Sequence, residues 1–152
     1  IEAIPTAYHN RLVLHDHFDL ATHFTLHGLH LNRRNSVLPP HYKGTVSQSC
    51  HTLDEVKVYK TKCDYVFLSP VFNSISKQGY ASAFTPKTLS EAKKQGLIDQ
   101  KVVALGGITA ANIDKTKYYG FGGVALLGDI WSRTADKNFE EYVRKIVEIC
   151  HV

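Results

Sequence analysis

Apolar residues recur in six short runs along the chain: Arg11 to Asp16, Gly28 to Asn32, Thr45 to Cys50, Asp64 to Phe72, Lys101 to Ile108 and Gly123 to Ile130. Most are followed by a helical or polar stretch, so the pattern predicts repeated βα units. Val102-Val103-Ala104-Leu105 and Val124-Ala125-Leu126-Leu127 are apolar on both faces, as strands of a parallel sheet covered by helices must be. A buried helix segment would share that pattern, but both runs are short and end in glycine. Helical spacing is clearest at the end of the chain, where Phe139, Tyr142, Val143, Ile146, Val147 and Cys150 fall on one stripe and predict a helix packed on something large. Leu53 to Lys62 and Thr85 to Gln95 predict two more helices, with Asp54-Glu55 in the first turn of one and Pro86 near the start of the other. Ala111 to Tyr119 predicts another, stopped by Gly120. No linker, low-complexity segment or internal boundary divides the chain, which reads as a single domain over residues 1–152. Six βα units suit an open doubly wound sheet or a (β/α)8 barrel. A barrel needs eight strands and at least about 200 residues, so length favours the open sheet and pattern leaves the choice open.

Composition narrows the function classes. With 43% hydrophobic and 21% charged residues the chain has the profile of a soluble globular domain. The longest apolar runs fall far below the roughly 18 residues that cross a bilayer, and no leader pattern opens the chain, so no membrane association and a cytoplasmic address are expected. The 18 Lys and Arg residues exceed the 14 Asp and Glu by four, and nine histidines accompany them. This balance welcomes a phosphate-bearing partner without demanding one. Nucleic acid is not expected, because the basic residues are dispersed and no groove-reading module is present. Cys50, Cys63 and Cys150 are odd in number and widely spaced, which points to reduced thiols. The absence of methionine makes Ile1 an unexpected translational start and suggests a longer native chain.

Several segments carry candidate chemistry. After the strand ending in Phe72 comes Asn73-Ser74-Ile75-Ser76-Lys77-Gln78-Gly79, whose two hydroxyls and one ammonium, with nearby backbone N–H groups, can surround a phosphate. The loop to Phe84 is longer than βα units usually need, which favours a lid or binding role. Gly106-Gly107 ends the next strand, and Gly122-Gly123 with Gly128 brackets the one after. Such turns let backbone N–H groups approach a ligand, although tight βα turns also use glycine for steric reasons alone. In Arg11 to Asp16, alternation puts Leu12, Leu14 and Asp16 on one face and Val13, His15 and His17 on the other. Asp16 would then point into the mouth of a barrel, where a carboxylate can hold Mg²⁺ beside a diphosphate. A helix N-cap or turn-forming Asp accounts for that residue equally well. His15, His17, His23, His27 and His30 crowd one stretch, but without finger spacing or a His-Glu-x-x-His helix they read as solvated or core imidazoles, not zinc ligands. Ser49 and His51 share a strand face, a pairing able to move protons, while Cys50 faces the other way and reads as packing. Trp131, Tyr118 and Tyr119 read as core or rim aromatics.

Taken in order, these strings resemble the thiamine phosphate synthase and TenI family of (β/α)8 barrels. Leu14-His-Asp-His-Phe-Asp-Leu-Ala21 is similar to the family's Ile-Asn-Asp-Arg-x-Asp-Leu-Ala, Gly28-Leu-His-Leu31 to Gly-Val-His-Leu, and Ser49-Cys-His-Thr52 to Ser-x-His-Thr. Ser69-Pro-Val-Phe-Asn-Ser-Ile-Ser-Lys77 resembles Gly-Pro-Val-Phe-x-Thr-x-Thr-Lys, and Ala104-Leu-Gly-Gly-Ile108 resembles Ala-Ile-Gly-Gly-Ile. The resemblance implies a TIM barrel of which strands three to eight are represented, with two preceding βα units and the family's Gln-Leu-Arg-x-Lys segment not among these residues. It implies the joining of hydroxymethylpyrimidine diphosphate to a thiazole phosphate with release of pyrophosphate, so the partners expected are small phosphorylated thiamine precursors. By the same resemblance Asp16 would bind Mg²⁺, and Ser49, Ser74, Ser76 and Lys77 would bind diphosphate. Gly106, Gly107 and the turn near Gly128 would hold the thiazole phosphate. Ser49, His51 and Lys77 form the candidate catalytic set. Closed barrels of this kind often pair, which admits a homodimer.

Departures open other readings. The family's second Mg²⁺ carboxylate is replaced by Asn35 within Asn32-Arg33-Arg34-Asn35, and His17 replaces an arginine. Arg33 and Arg34 make the local field more positive, which attracts diphosphate directly and disfavours a bound cation. A TenI-like thiazole tautomerase with His51 as acid or base is the second reading. A catalytically silent barrel that binds thiamine precursors is the third.

Overall fold

Six strands, β1 (Val13–Leu14), β2 (Gly28–Leu31), β3 (Thr45–Cys50), β4 (Tyr65–Leu68), β5 (Val102–Leu105) and β6 (Gly123–Ala125), form one sheet in a computed structural model that describes residues 1–73, 82 and 84–151. Every pairing is parallel, and the order across the sheet is the order along the chain. That order decides between the two α/β architectures. A doubly wound sheet reverses direction at a switch point, whereas here each strand is laid beside its predecessor, as in the wall of a barrel. The result is a curled half-barrel of six strands, and the open sheet favoured by length is set aside.

Helices α1 (Leu53–Tyr59), α2 (Pro86–Lys94), α3 (Ile113–Tyr118), α4 (Gly128–Trp131) and α5 (Phe139–His151) follow the strands. Local chemistry sets their starts. Thr52 and Glu55 form a reciprocal capping box on α1, with Glu55 N donating to Thr52 Oγ1 at 3.1 Å and Thr52 N donating to the Glu55 carboxylate at 3.2 Å. Thr85 caps α2, whose first residue is Pro86. Residues 32–44 between β2 and β3 form a loop, in keeping with Pro39-Pro40 in their midst.

β3 spans the whole of its run, Thr45–Cys50, and the other strands are shorter than theirs. Arg11 belongs to a 3-10 turn, Thr6–Arg11, and Asp16 lies in a bend beyond β1. The run from Lys101 stops at Leu105 because Gly106 and Gly107 turn the chain at φ of 91° and 66°. At both, a Cβ would meet the β4–α2 connection: 2.7 Å from Pro70 Cα at Gly106 and 2.4 Å from the Asn73 carbonyl at Gly107. Gly123 to Ile130 is part strand and part helix, since Leu126 and Leu127 leave the sheet and Gly128 opens α4.

The core lies between the outer face of the sheet and the helices. Cys50, Val66, Leu68, Val102 and Ala104 point outward from alternate positions of three strands and are fully buried with Val56, Leu89 and Ile113. Each of the valine, leucine and isoleucine side chains contributes about 1.5–3 kcal/mol through burial. On α5 only Ile146 is buried, with Tyr142 and Ile149 packed partly against the core, while Val147 and Cys150 are exposed. The packed stripe is therefore rotated from the predicted one. Trp131 and Tyr118 are exposed too, which leaves only the rim reading for them. Among the described residues, no helix is long and apolar enough to cross a membrane.

Candidate active site

Strand register decides what lies inside the curl. His30 pairs with Ser47 and Ser47 with Tyr65; Ser49 pairs with Phe67 and Phe67 with Val103. Paired residues in a parallel sheet share a face, so these side chains line the concave side opposite the packed core. There His30, 3% exposed, sits between two hydroxyls: Ser47 Oγ lies 2.9 Å from Nδ1 and Ser49 Oγ 2.7 Å from Nε2. The His15 ring lies 4.3 Å from the His30 ring, and Phe67 meets it edge-on at 5.1 Å. Burial first, and then the neighbouring charge of His15, pull the His30 imidazole down to about 4. Burial also lowers His15. Both favour the neutral ring at neutral pH.

The Ser49 hydroxyl and the His30 imidazole line an open cavity of about 1130 Å³ that His51, Ser69, Arg33 and Leu127 border near the carboxyl ends of the strands and that continues to Val46, Gln48 and Cys63 on the packed side of the sheet. His51 Nδ1 lies 2.9 Å from the Ser69 carbonyl oxygen, which can only accept, so Nδ1 carries a proton and Nε2 is left free in the neutral ring. The His51 N–H donates to the Glu55 carboxylate, which ties this residue to the cap of α1. Arg33 and Arg34 are presented by an Asx turn: Asn32 Oδ1 accepts from the N–H groups of Arg34 at 2.9 Å and Asn35 at 3.1 Å. Asn32 and Asn35 each donate to the His15 carbonyl at 3.0 Å, clamping this turn to the end of β1.

Ser49 and His51 thus face one cavity, as the alternation predicts, but the imidazole bonded to Ser49 is that of His30. Asp16 requires a correction. The strand ends at Leu14, and the inner face passes to His15, which stacks on His30; Asp16 lies exposed at the rim. Its Oδ1 accepts from His17 N at 2.8 Å, with Asn35 nearby. The His17 bond is the main cause holding its carboxyl below the usual range, with Asn35 and Arg34 adding to it. Among the described residues, no three acidic, histidine or cysteine side chains cluster as a metal cage. A single ionised oxygen donor still fits an ion that keeps several waters and takes other ligands from a phosphate.

The glycine turns are divided between places. Gly107 borders a separate cavity of about 440 Å³ with Asn73, Asn112 and Lys115, and Asn112 donates to its carbonyl at 2.8 Å. Gly106 is taken up in packing, its carbonyl accepting from Phe72 N at 3.0 Å. Gly128 heads α4 beside Leu127, which reaches the larger cavity. Gly106, Gly107 and Gly128 are therefore not brought to one described cavity. Ser74, Ser76 and Lys77 lie outside the described residues. Residue reading missed Ser47 and the role of His30. Alternation along Thr45 to Cys50 and Gly28 to Asn32 held the signal, since it places Ser47, Ser49 and His30 at inward positions.

A family model described as thiamine monophosphate synthase matches residues 1–130. The chain belongs to the thiamine monophosphate synthase family. Among relatives, the thiamine-phosphate synthase of Latilactobacillus sakei subsp. sakei (strain 23K) is 28% identical over 151 residues, covering 94% of this chain and 65% of that protein. The crystal structure of thiamine phosphate pyrophosphorylase from Bacteroides thetaiotaomicron shares 43% identity with a TM-score of 0.84, over 96% of this chain and 73% of that one. A thiamine phosphate pyrophosphorylase from Pyrococcus furiosus, 21% identical with a TM-score of 0.68 over 98% of this chain and 80% of its own, shares the fold. This member of the thiamine monophosphate synthase family spans slightly less than two thirds of the first curated relatives, 65% and 64%.

Proposed function

We propose that this chain acts in thiamine biosynthesis as a thiamine phosphate synthase, a transferase that joins hydroxymethylpyrimidine diphosphate to thiazole phosphate and releases pyrophosphate. The observation that carries the reading is the convergence of Ser49, His30, His51 and Arg33 on one cavity at the carboxyl ends of a consecutively ordered parallel sheet. In such folds ligands bind at that edge. In the reaction, the bond between the pyrimidine methylene and the diphosphate oxygen breaks with its electron pair leaving on oxygen. The thiazole nitrogen then forms the new C–N bond. Ser49 and Arg33 bind the departing diphosphate by charge-assisted contacts, and the family resemblance gives Ser74, Ser76 and Lys77 the same role. Asp16, with Asn35 beside it, would hold Mg²⁺ at the rim. When bound, that ion neutralises charge developing on the leaving diphosphate. Gly107, with Asn112 and Lys115, serves the thiazole phosphate from the neighbouring cavity. Two further βα units bridging the open edges of β1 and β6 complete the eight-stranded barrel, because unpaired strand edges are otherwise left to solvent. We also infer that the completed barrel pairs as a homodimer. The three free cysteines fit a reducing cytoplasm.

Pyrophosphate release from the two precursors with Mg²⁺, using the full-length protein, is the test, and no release above background sinks the reading. One observation favours a second reading: His51 Nε2, which has no hydrogen-bond partner among the described residues, is placed for proton transfer in a TenI-like tautomerase. Isomerisation of the thiazole carboxylate phosphate that His51→Ala abolishes would decide for it. Binding of the precursors without turnover of either would decide for a silent binding barrel.

A further inference from the structure

The buried pair Ser47 and His30 carries an assignment of protons that reaches the cavity. Ser47 is fully buried, and among the described residues its hydroxyl has one partner, His30 Nδ1 at 2.9 Å. A buried hydroxyl must donate its proton somewhere. Were Nδ1 the donor, the Ser47 O–H would be left with no acceptor. Ser47 therefore donates to Nδ1, and the neutral ring carries its proton on Nε2. That N–H points at Ser49 Oγ, 2.7 Å away, and donates to it. With a lone pair of Ser49 engaged from below and no other side-chain bond to its hydroxyl among the described residues, its O–H is free to turn into the cavity.

We propose that Ser47 is a positioning residue: by setting the tautomer of His30 it makes Ser49 an obligate hydrogen-bond donor toward an anionic oxygen in the cavity. The opposite tautomer would let Ser49 spend its proton on Nε2 and present lone pairs to an anion, which repels it. The low basicity of His30 keeps this arrangement in place at neutral pH, because a protonated ring could not accept from Ser47. The proposal rests on the reading that Ser49 meets a diphosphate, but the proton assignment stands on the hydrogen bonds alone.

Two measurements on the full-length protein separate those claims. Nitrogen-15 NMR of the labelled imidazoles reports which ring nitrogen of His30 is protonated, and titration with inorganic pyrophosphate and Mg²⁺ reports affinity. The unaltered protein should show His30 protonated on Nε2 at pH 7.5, and Ser47→Ala should shift the ring toward the Nδ1 form. Ser47→Ala and Ser49→Ala should each weaken pyrophosphate binding about fivefold to tenfold, and the double variant should be no weaker than Ser49→Ala alone. Ser47→Thr, which keeps the hydroxyl, should restore the Nε2 form. An Nδ1-protonated ring in the unaltered protein, an unchanged ring in Ser47→Ala, or additive losses in the double variant would overturn the proposal. Should Ser47→Ala not fold, the ring spectrum of the unaltered protein decides by itself. Absence of any pyrophosphate binding would remove the synthase reading, with the proton assignment still judged by the ring spectrum.

Discussion

Strands β3 and β5 are built on the same alternation and differ most on the inner face, although β3 also carries the polar Gln48 outward where β5 is apolar. Outward, Cys50 of β3 and Val102 and Ala104 of β5 are equally buried in the core. Inward, β3 presents Ser47 and Ser49 to His30, whereas β5 presents Val103 and Leu105. The outer face of β4 and β5 is apolar core, and the inner face is split into a polar half and an apolar half. The split has a physical use. Phe67 sits against the His30 ring from the apolar side, and low polarity around a satisfied hydrogen-bond network strengthens its bonds while penalising a charge on the imidazole. The hydroxyl on β3 and the thiol beside it make the same point. Ser49 opens on a cavity, while burial pushes the Cys50 thiol up to about 12 and leaves it unreactive.

The largest expected effect tests the outer face. Leu68→Ala, at a fully buried position, should lower the unfolding free energy by about 2–5 kcal/mol in urea denaturation. Leu105→Ala, half-buried on the inner face, should cost clearly less. Equal costs would erase the distinction between the two faces.

Next comes acid. The His30 ring titrates near its ordinary 6.5 in the unfolded chain and at about 4 in the fold, so the unfolded state takes up the proton first. Its contribution to stability is complete above pH 6.5 and is lost as pH falls from there to about 4. The loss amounts to about 3 kcal/mol. His15, the other ring facing it, shifts in the same direction. Unfolding free energies measured from pH 7.5 to 4 should fall more steeply for the unaltered protein than for His30→Gln, and parallel curves would show that the ring is not held neutral by the fold.

On the ligand side, Lys77→Ala should weaken pyrophosphate binding by about 1.5–3 kcal/mol through loss of a charge-assisted contact. An unchanged affinity would remove Lys77 from the site. Thr52→Ala, which breaks the capping box on α1, should cost about 1 kcal/mol in stability. Last, a thiol reagent should label exposed Cys150 quickly in the native protein and reach Cys50 only on unfolding. Native labelling of Cys50 would mean that the outer face is not closed.

Much of this molecule is written in local chemistry. Alternating apolar runs announce the βα units, Thr52 with Glu55 and Thr85 with Pro86 mark helix starts, and Cys50 declares its outward place, because each depends on neighbours a few residues away. Family strings in order pointed to the barrel wall where length alone pointed to an open sheet. Tertiary structure decided what depends on partners far along the chain. The register of β1 on β2 decides which face of β1 is inward: Leu14 pairs with outward Leu29, so Val13 and His15 take the inner face and Asp16 does not. Alternation could place His30, Ser47 and Ser49 inward, but only the register between β2 and β3 brings both hydroxyls within bonding distance of one imidazole. Hydrogen bonds act over about 3 Å, and separations of 17 and 19 residues are closed to that distance only by the packed sheet.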